Sequence, residues 1–155
     1  MDLAKSLKVD SVARVELSPP VALDPSATVA DAVALMRERR VGYVLICQER
    51  RVLGIFTERD LIHRVLEPGR EMSLALSAVM TPEPLTVRRS EPIGAALRHM
   101  LKGGCRRMPV VDGSSHVVGV LSVKRIVRYL VEHFATTIYN LPPATATEPP
   151  LREGA

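Results

Sequence analysis

The stretch GYVLICQERRVLGIFTERDLI (residues 42–62) returns as RMPVVDGSSHVVGVLSVKRIV (residues 107–127). The offset is 107 − 42 = 65. It aligns Gly54 with Gly119 and Thr57 with Ser122, and the apolar pairs Val52/Val117, Leu53/Val118, Ile55/Val120, Phe56/Leu121, Leu61/Ile126 and Ile62/Val127. Upstream, TVADAVALM (28–36) matches PIGAALRHM (92–100) at an offset of 64. One residue has therefore been gained between helix and strand in the second copy, and Lys102-Gly103-Gly104-Cys105 is the place for it. A duplicated unit of about 65 residues decides the fold, because half a chain cannot cover both faces of a small sheet alone.

Each copy reads as the same succession of elements. In the first, Val29, Ala32, Val33 and Met36 recur at helical spacing, predicting a helix from about Thr28 to Arg40 opened by Asp24-Pro25-Ser26. Two β-branched runs follow, Tyr43–Cys47 and Arg51–Thr57, split by Gln48-Glu49-Arg50. They are almost wholly apolar, as strands buried on both faces are. A second helix starts at Glu58 and fades at Glu67-Pro68-Gly69. In the second copy the helix spans about Pro92 to Lys102, the strands Met108–Val111 and Val117–Leu121, and the last helix runs from near Val123 to Phe134 or beyond. The repeats occupy residues 10–70 and 75–134. A tail from residue 141 holds Pro142, Pro143, Pro149 and Pro150 with few large apolar residues, and is expected to be extended or disordered.

Composition narrows the function. The 155 residues (17.0 kDa) are 46% hydrophobic and 25% charged, as in a soluble globular protein. No apolar run approaches the ~18–20 residues a membrane span needs. No long apolar stretch follows the first lysines, so the expected compartment is the cytoplasm, without membrane attachment. Five aromatics, none of them Trp, are too few for a base-stacking platform. Cys47 and Cys105 read as reduced thiols. His63, His99, His116 and His133 are spread without metal-ligand spacing. No nucleophile stands beside a base and no GxxxxGK loop occurs, so an enzyme is not expected. Net charge is 21 − 17 = +4, yet residues 88–129 alone hold nine basic and two acidic residues, 9 − 2 = +7. Such a field suits a phosphate-bearing partner, or merely marks solvated helix faces.

The ordered pieces GIFTERDL (54–61), VMTPEPLTV (79–87), MPVVD (108–112) and GVLSVKRI (119–126), in two registered copies, resemble a pair of cystathionine-β-synthase (CBS) domains over roughly residues 10–134. The resemblance implies an α/β fold: two β-α-β-β-α repeats packed sheet to sheet with pseudo-two-fold symmetry. It further implies dimerisation into a disc and binding of AMP, ADP or ATP, or of S-adenosylmethionine, with no covalent cofactor. A homodimer is also expected from the apolar first helix of each copy and from Ile126, Val127, Leu130, Val131 and Phe134 on the last helix.

Thr57-Glu58-Arg59-Asp60 has two readings. Structurally, Thr57 caps a helix with Asp60 as the reciprocal capping-box residue. Functionally, the helix start and the Thr57 hydroxyl face a phosphate while Asp60 accepts from ribose hydroxyls. The family likeness favours the second and brings Arg59 into the candidate set. It also places adenine against Pro20-Val21 and Val41-Gly42-Tyr43 over Ile55, with Gly42 allowing close approach. These same residues read otherwise as core or loop packing. Arg106 and Arg107 correspond to Val41-Gly42 and are expected to face phosphates held by the first copy, or else to be two exposed arginines after a Gly-Gly turn. In the second copy Arg125 replaces Asp60, so the usual adenosine site is expected to be missing there. The function expected is a stand-alone regulatory pair that senses an adenosine nucleotide and signals to a partner protein still to be identified. The rivals are a ligand-independent adaptor and nucleic-acid binding through the basic repeat.

Overall fold

The computed structural model describes residues 3–139; the proline-rich tail expected from residue 141 lies outside the described residues. Element order follows the duplication. The first repeat is β1 (Ala22–Leu23), α2 (Val29–Arg39), β2 (Tyr43–Gln48), β3 (Arg51–Thr57) and α3 (Glu58–Asp60), which continues as a π-helical turn over Leu61–Leu66. The second is β5 (Val87–Arg88), α4 (Ile93–Gly103), β6 (Arg107–Val111), β7 (Val117–Ser122) and α5 (Val123–Tyr139). In both sheets the short first strand runs parallel to the next, which pairs antiparallel with the third. The two units form the mixed α/β pair of repeats with pseudo-two-fold arrangement that the resemblance implied.

Local chemistry explains the ends of the elements. The turn Asp24–Ser26 is held by Asp24 Oδ1, which accepts from the Ser26 amide at 2.9 Å and hydroxyl at 2.7 Å. The cap itself is Thr28, in a reciprocal box with Asp31. Contrary to expectation, the residue gained in the second copy does not lie between helix and strand at Lys102–Cys105, since α2 and α4 are both 11 residues long. Tyr43 faces Thr57 as Arg107 faces Ser122, and Ile46 faces Gly54 as Val110 faces Gly119, so the extra residue falls in the hairpin turn between Val111 and Val117. Gly104 takes the left-handed cap at φ 62°, whereas in the first copy Arg40 occupies the same conformation at φ 55°.

The sequence does not announce how the segments preceding each repeat cross over. Thr81–Pro82 (β4), leading into the second repeat, pairs antiparallel with β3 of the first. Ser18, leading into the first repeat, exchanges backbone hydrogen bonds with Val120 of β7 at 2.9 Å in both directions. Further upstream, α1 (Leu3–Val9) and the turn after it lie wholly on the second repeat. The Val12 amide donates to the Glu91 carbonyl, Ala13 to Arg89, and Ile93 back to Asp10, each at 2.9 Å. Val12 and Val15 belong to the apolar core of Ile93, Met100, Met108 and Leu121. The Asp10 carboxylate fixes this arm, accepting from the Tyr129 hydroxyl at 2.7 Å and from Arg14 at 3.0 Å. The Tyr129 hydrogen bond is the main reason its pKa lies below the ordinary carboxylate value. In the other core, Val44, Leu45, Ile46 and Phe56 meet Val117 and Val120, so β7 feeds both repeats.

Gly54 and Gly119, the duplicated glycines, serve this crossover. A side chain at Gly54 would run into the Met80 sulfur and lie 3.0 Å from the Thr81 carbonyl oxygen, and one at Gly119 would lie 2.8 Å from Leu17 Cβ and 3.2 Å from the Ser18 carbonyl oxygen. The crossing chain therefore lies directly on the third strand of the opposite repeat. Met80 can swing its flexible end away; Leu17 is met at its root. Gly119→Ala is expected to destabilise the fold by about 1–3 kcal/mol, more than Gly54→Ala does. Urea midpoints of the two variants check the ranking, and an unchanged midpoint for Gly119→Ala would contradict the close packing.

Candidate functional site

A cleft of about 860 Å³ opens between the end of β3 and the start of β6. From the first repeat it takes Gly42, Ile55 and the run Thr57–Asp60, with His63 and Arg64; from the crossing strand β4, Thr81; and from the second repeat Gly103, Gly104, Cys105, Arg106 and Arg107. Seven of the residues singled out in the sequence meet here: Gly42, Ile55, Thr57, Arg59, Asp60, Arg106 and Arg107. Val41 lines a smaller groove beside the cleft. Pro20, Val21 and Tyr43 are not on the wall. Pro20 is exposed, Val21 is buried in the core, and Tyr43 is 3% exposed with its hydroxyl donating to the Pro19 carbonyl at 2.6 Å. Tyr43 nonetheless bears on the cleft from below, because the Arg107 guanidinium lies 5.6 Å over its ring.

The loop from β3 into α3 is a completed capping box. Asp60 Oδ2 accepts from the Thr57 amide at 3.0 Å and hydroxyl at 3.1 Å, while the Asp60 amide donates to Thr57 Oγ1 at 3.3 Å. The second carboxylate oxygen is held loosely: the Thr81 hydroxyl is 3.4 Å away and Arg64 Nε 3.5 Å. Those lengths are beyond a strong hydrogen bond, so Oδ1 keeps most of its accepting capacity. Arg64 spends its best contact elsewhere, donating to the Met80 carbonyl at 2.8 Å. The capping and ligand readings of Asp60 therefore use different oxygens of one side chain.

Charge is uneven across the cleft. Among the described residues Arg59, Arg106 and Arg107 form no salt bridge, nor does Glu58. With Asp60 beside Arg64, these three guanidiniums stand against the single carboxylate of Glu58 and give the wall an excess of fork-shaped cationic donors, chemistry suited to an anion. Cys105 stands among them as a neutral thiol, its pKa raised by burial.

The second repeat closes the corresponding place. The Arg125 amide donates to Ser122 Oγ at 3.1 Å, as Asp60 does to Thr57. The Arg125 side chain then turns to the crossing segment, with Nε 3.2 Å from Ser18 Oγ and a terminal nitrogen 3.4 Å from Glu16. Ser18 stands to Arg125 as Thr81 stands to Asp60. A cation bridged to a carboxylate thus occupies the position that the loosely held acceptor Asp60 Oδ1 has in the first repeat.

Sequence reading missed Glu58, His63, Arg64, Thr81, Gly103, Gly104 and Cys105 as cleft residues. Arg64 was traceable, one helical turn beyond Asp60. Thr81 becomes visible only once β4 is known to cross onto β3.

Comparison with known proteins gives this geometry a family. A sequence model of the CBS domain matches twice, over residues 12–67 and 76–132. An uncharacterized protein of Methanopyrus kandleri is 30% identical over 132 residues; the match covers 82% of this chain and 66% of that one, just under two thirds. Among solved structures, a conserved protein of Pyrococcus horikoshii superposes with a TM-score of 0.72 at 25% identity, covering 83% of this chain and 93% of that one. The CBS-pair protein CBSX2 of Arabidopsis thaliana, in complex with AMP, superposes with a TM-score of 0.68 at 25% identity, covering 81% and 98%.

Proposed function

This chain belongs to the CBS-domain family, and from that premise we propose that it is a regulatory module which binds an adenosine nucleotide and reports its occupancy to a partner protein. The observation that carries the reading is the cleft that joins a loosely held carboxylate oxygen on Asp60 in one repeat to Arg106 and Arg107 in the other. A ribose asks for an acceptor and a phosphate asks for guanidinium donors. Ile55 supplies an apolar surface between them. The AMP held by CBSX2 supports the same ligand class here. S-adenosylmethionine has no phosphate for the two arginines and fits the wall less well than AMP, ADP or ATP. A ligand that touches both repeats favours whichever arrangement of the pair fits it best, which is the population shift a sensor needs.

The experiment is direct. Small molecules released from denatured, freshly purified protein are identified by mass spectrometry, and stripped protein is titrated calorimetrically with adenosine, AMP, ADP and ATP. Saturable heat with at least one of these is expected, and no binding to any of them would refute the reading.

Self-association belongs to the same proposal. Ile62 and Leu66 on the π-helical turn are 48% and 56% exposed, and Val127, Val131 and Phe134 on α5 are 51%, 60% and 46% exposed. Ile126, by contrast, is buried at 1% and Leu130 packs on the core, so the free face of α5 is narrower than its sequence suggested. Ile62 and Val127 correspond at the 65-residue offset, as do Leu66 and Val131. Two symmetric apolar strips of this kind fit an isologous dimer. Light scattering at micromolar concentration is expected to give about twice 17.0 kDa; a monomer mass would remove the dimer from the scheme.

A further inference from the structure

Beside the cleft, and sharing Gly42, Glu58 and Arg107 with it, lies a second groove of about 360 Å³. Its other charged residues are Arg37 and Arg40, in the last turn and at the cap of α2. Both are exposed and neither forms a salt bridge among the described residues. Cations at a helix C-terminus are favoured by the helix dipole, which accounts for their residue type. It does not account for a left-handed arginine at φ 55°, where Gly104 stands in the other repeat. That conformation is unfavourable for a side-chain-bearing residue; it closes the helix through the Arg40 amide, which donates to the Met36 carbonyl, and Arg40 lines the groove.

Cleft and groove together hold five arginines without a salt bridge (Arg37, Arg40, Arg59, Arg106 and Arg107) against the single unpaired carboxylate of Glu58. One phosphate monoester brings at most two negative charges. An excess of four positive charges along a continuing surface suits a chain of phosphates rather than one. At the junction the Glu58 carboxylate packs against Gly42, its atoms 3.1–3.4 Å from where a side chain's first carbon would lie.

We propose that the ligand carries two or more phosphates, the proximal one on Arg106 and Arg107 and the distal ones passing Arg107 into the groove to Arg37 and Arg40. This rests on the reading of the cleft as an adenosine-nucleotide site and assigns that site to ADP or ATP in preference to AMP. Arg37 and Arg40 set the choice without touching the nucleoside.

Calorimetric titration of the stripped full chain at ~0.15 M salt tests it. Wild-type protein is expected to bind ATP at least tenfold tighter than AMP. The double variant Arg37→Ala/Arg40→Gly, in which glycine suits the positive φ, is expected to keep AMP affinity within about twofold while the ATP preference collapses below about threefold. Equal affinity for AMP and ATP in the wild type overturns the proposal. A preference that survives the double variant overturns the role of these two arginines. Failure of every nucleotide to bind refutes the underlying reading of the cleft and this proposal with it, whereas tight AMP binding without an ATP preference refutes the proposal alone.

Discussion

Asp60→Ala is expected to weaken adenosine-nucleotide binding by about 1.5–3 kcal/mol, the range for hydrogen bonds to a charged group, or some ten- to hundredfold in the dissociation constant. Oδ1 is the reason. Its two contacts, Thr81 at 3.4 Å and Arg64 at 3.5 Å, are long enough for ribose hydroxyls at ordinary hydrogen-bond distance to replace them. Removing the carboxylate also opens the capping box with Thr57 and costs stability, so a loss of affinity alone would be ambiguous. The chain supplies its own control. Thr28 and Asp31 form the same reciprocal box at the start of α2, with bonds of 2.9 and 3.1 Å, and Asp31 does not line the cleft. Asp31→Ala should match the stability loss of Asp60→Ala while leaving affinity unchanged. If the two variants behave alike in titration, or if folded Asp60→Ala binds as wild type, Asp60 is a cap and nothing more.

That one side chain shows what the sequence makes legible and what it hides. The capping box, the register of Thr57 on Ser122 and the exchange of Asp60 for Arg125 are local, and local chemistry can be read from spacing. The repeat itself is legible because both copies must bury matching strands, so Ile55/Val120 and Phe56/Leu121 keep their apolar character. The crossover is not legible. Residues 3–17 bind the second repeat through backbone hydrogen bonds to Arg89 and Glu91 and through Asp10 on Tyr129, 119 positions away, and backbone pairing leaves no periodic trace. Thr81 and Glu16 reach the two equivalent places only by that route, so the contents of the cleft were incompletely foreseen even though its main residues were named. Val21 and Tyr43 illustrate the opposite difficulty. An apolar or aromatic residue beside a site has the same sequence signature whether it faces the ligand or the core, and here both face the core.

The stoichiometry follows from the second repeat. Arg125 cannot accept a hydrogen bond, and its guanidinium is committed to Ser18 and Glu16 on the crossing segment. Saturation near one nucleotide per chain is therefore expected, held across the repeats with ribose on Asp60 and phosphate on Arg106 and Arg107. Arg107→Ala discriminates the direction. A guanidinium that meets only phosphate contributes to AMP and ATP and not to adenosine, so the variant should lose about 1.5–3 kcal/mol with the nucleotides and almost nothing with the nucleoside. Tyr43 sharpens the measurement. Its ring lies beneath Arg107, so Arg107→Lys, which keeps the charge but loses the planar fork, should recover only part of the nucleotide affinity. Equal losses for adenosine and AMP would mean that Arg107 shapes the cleft as a whole, and two equivalent sites per chain would mean that Arg125 yields its place. Either result would dismantle the cross-repeat geometry, because that geometry depends on acceptor and cation lying on opposite repeats and on the mirrored pair being already filled.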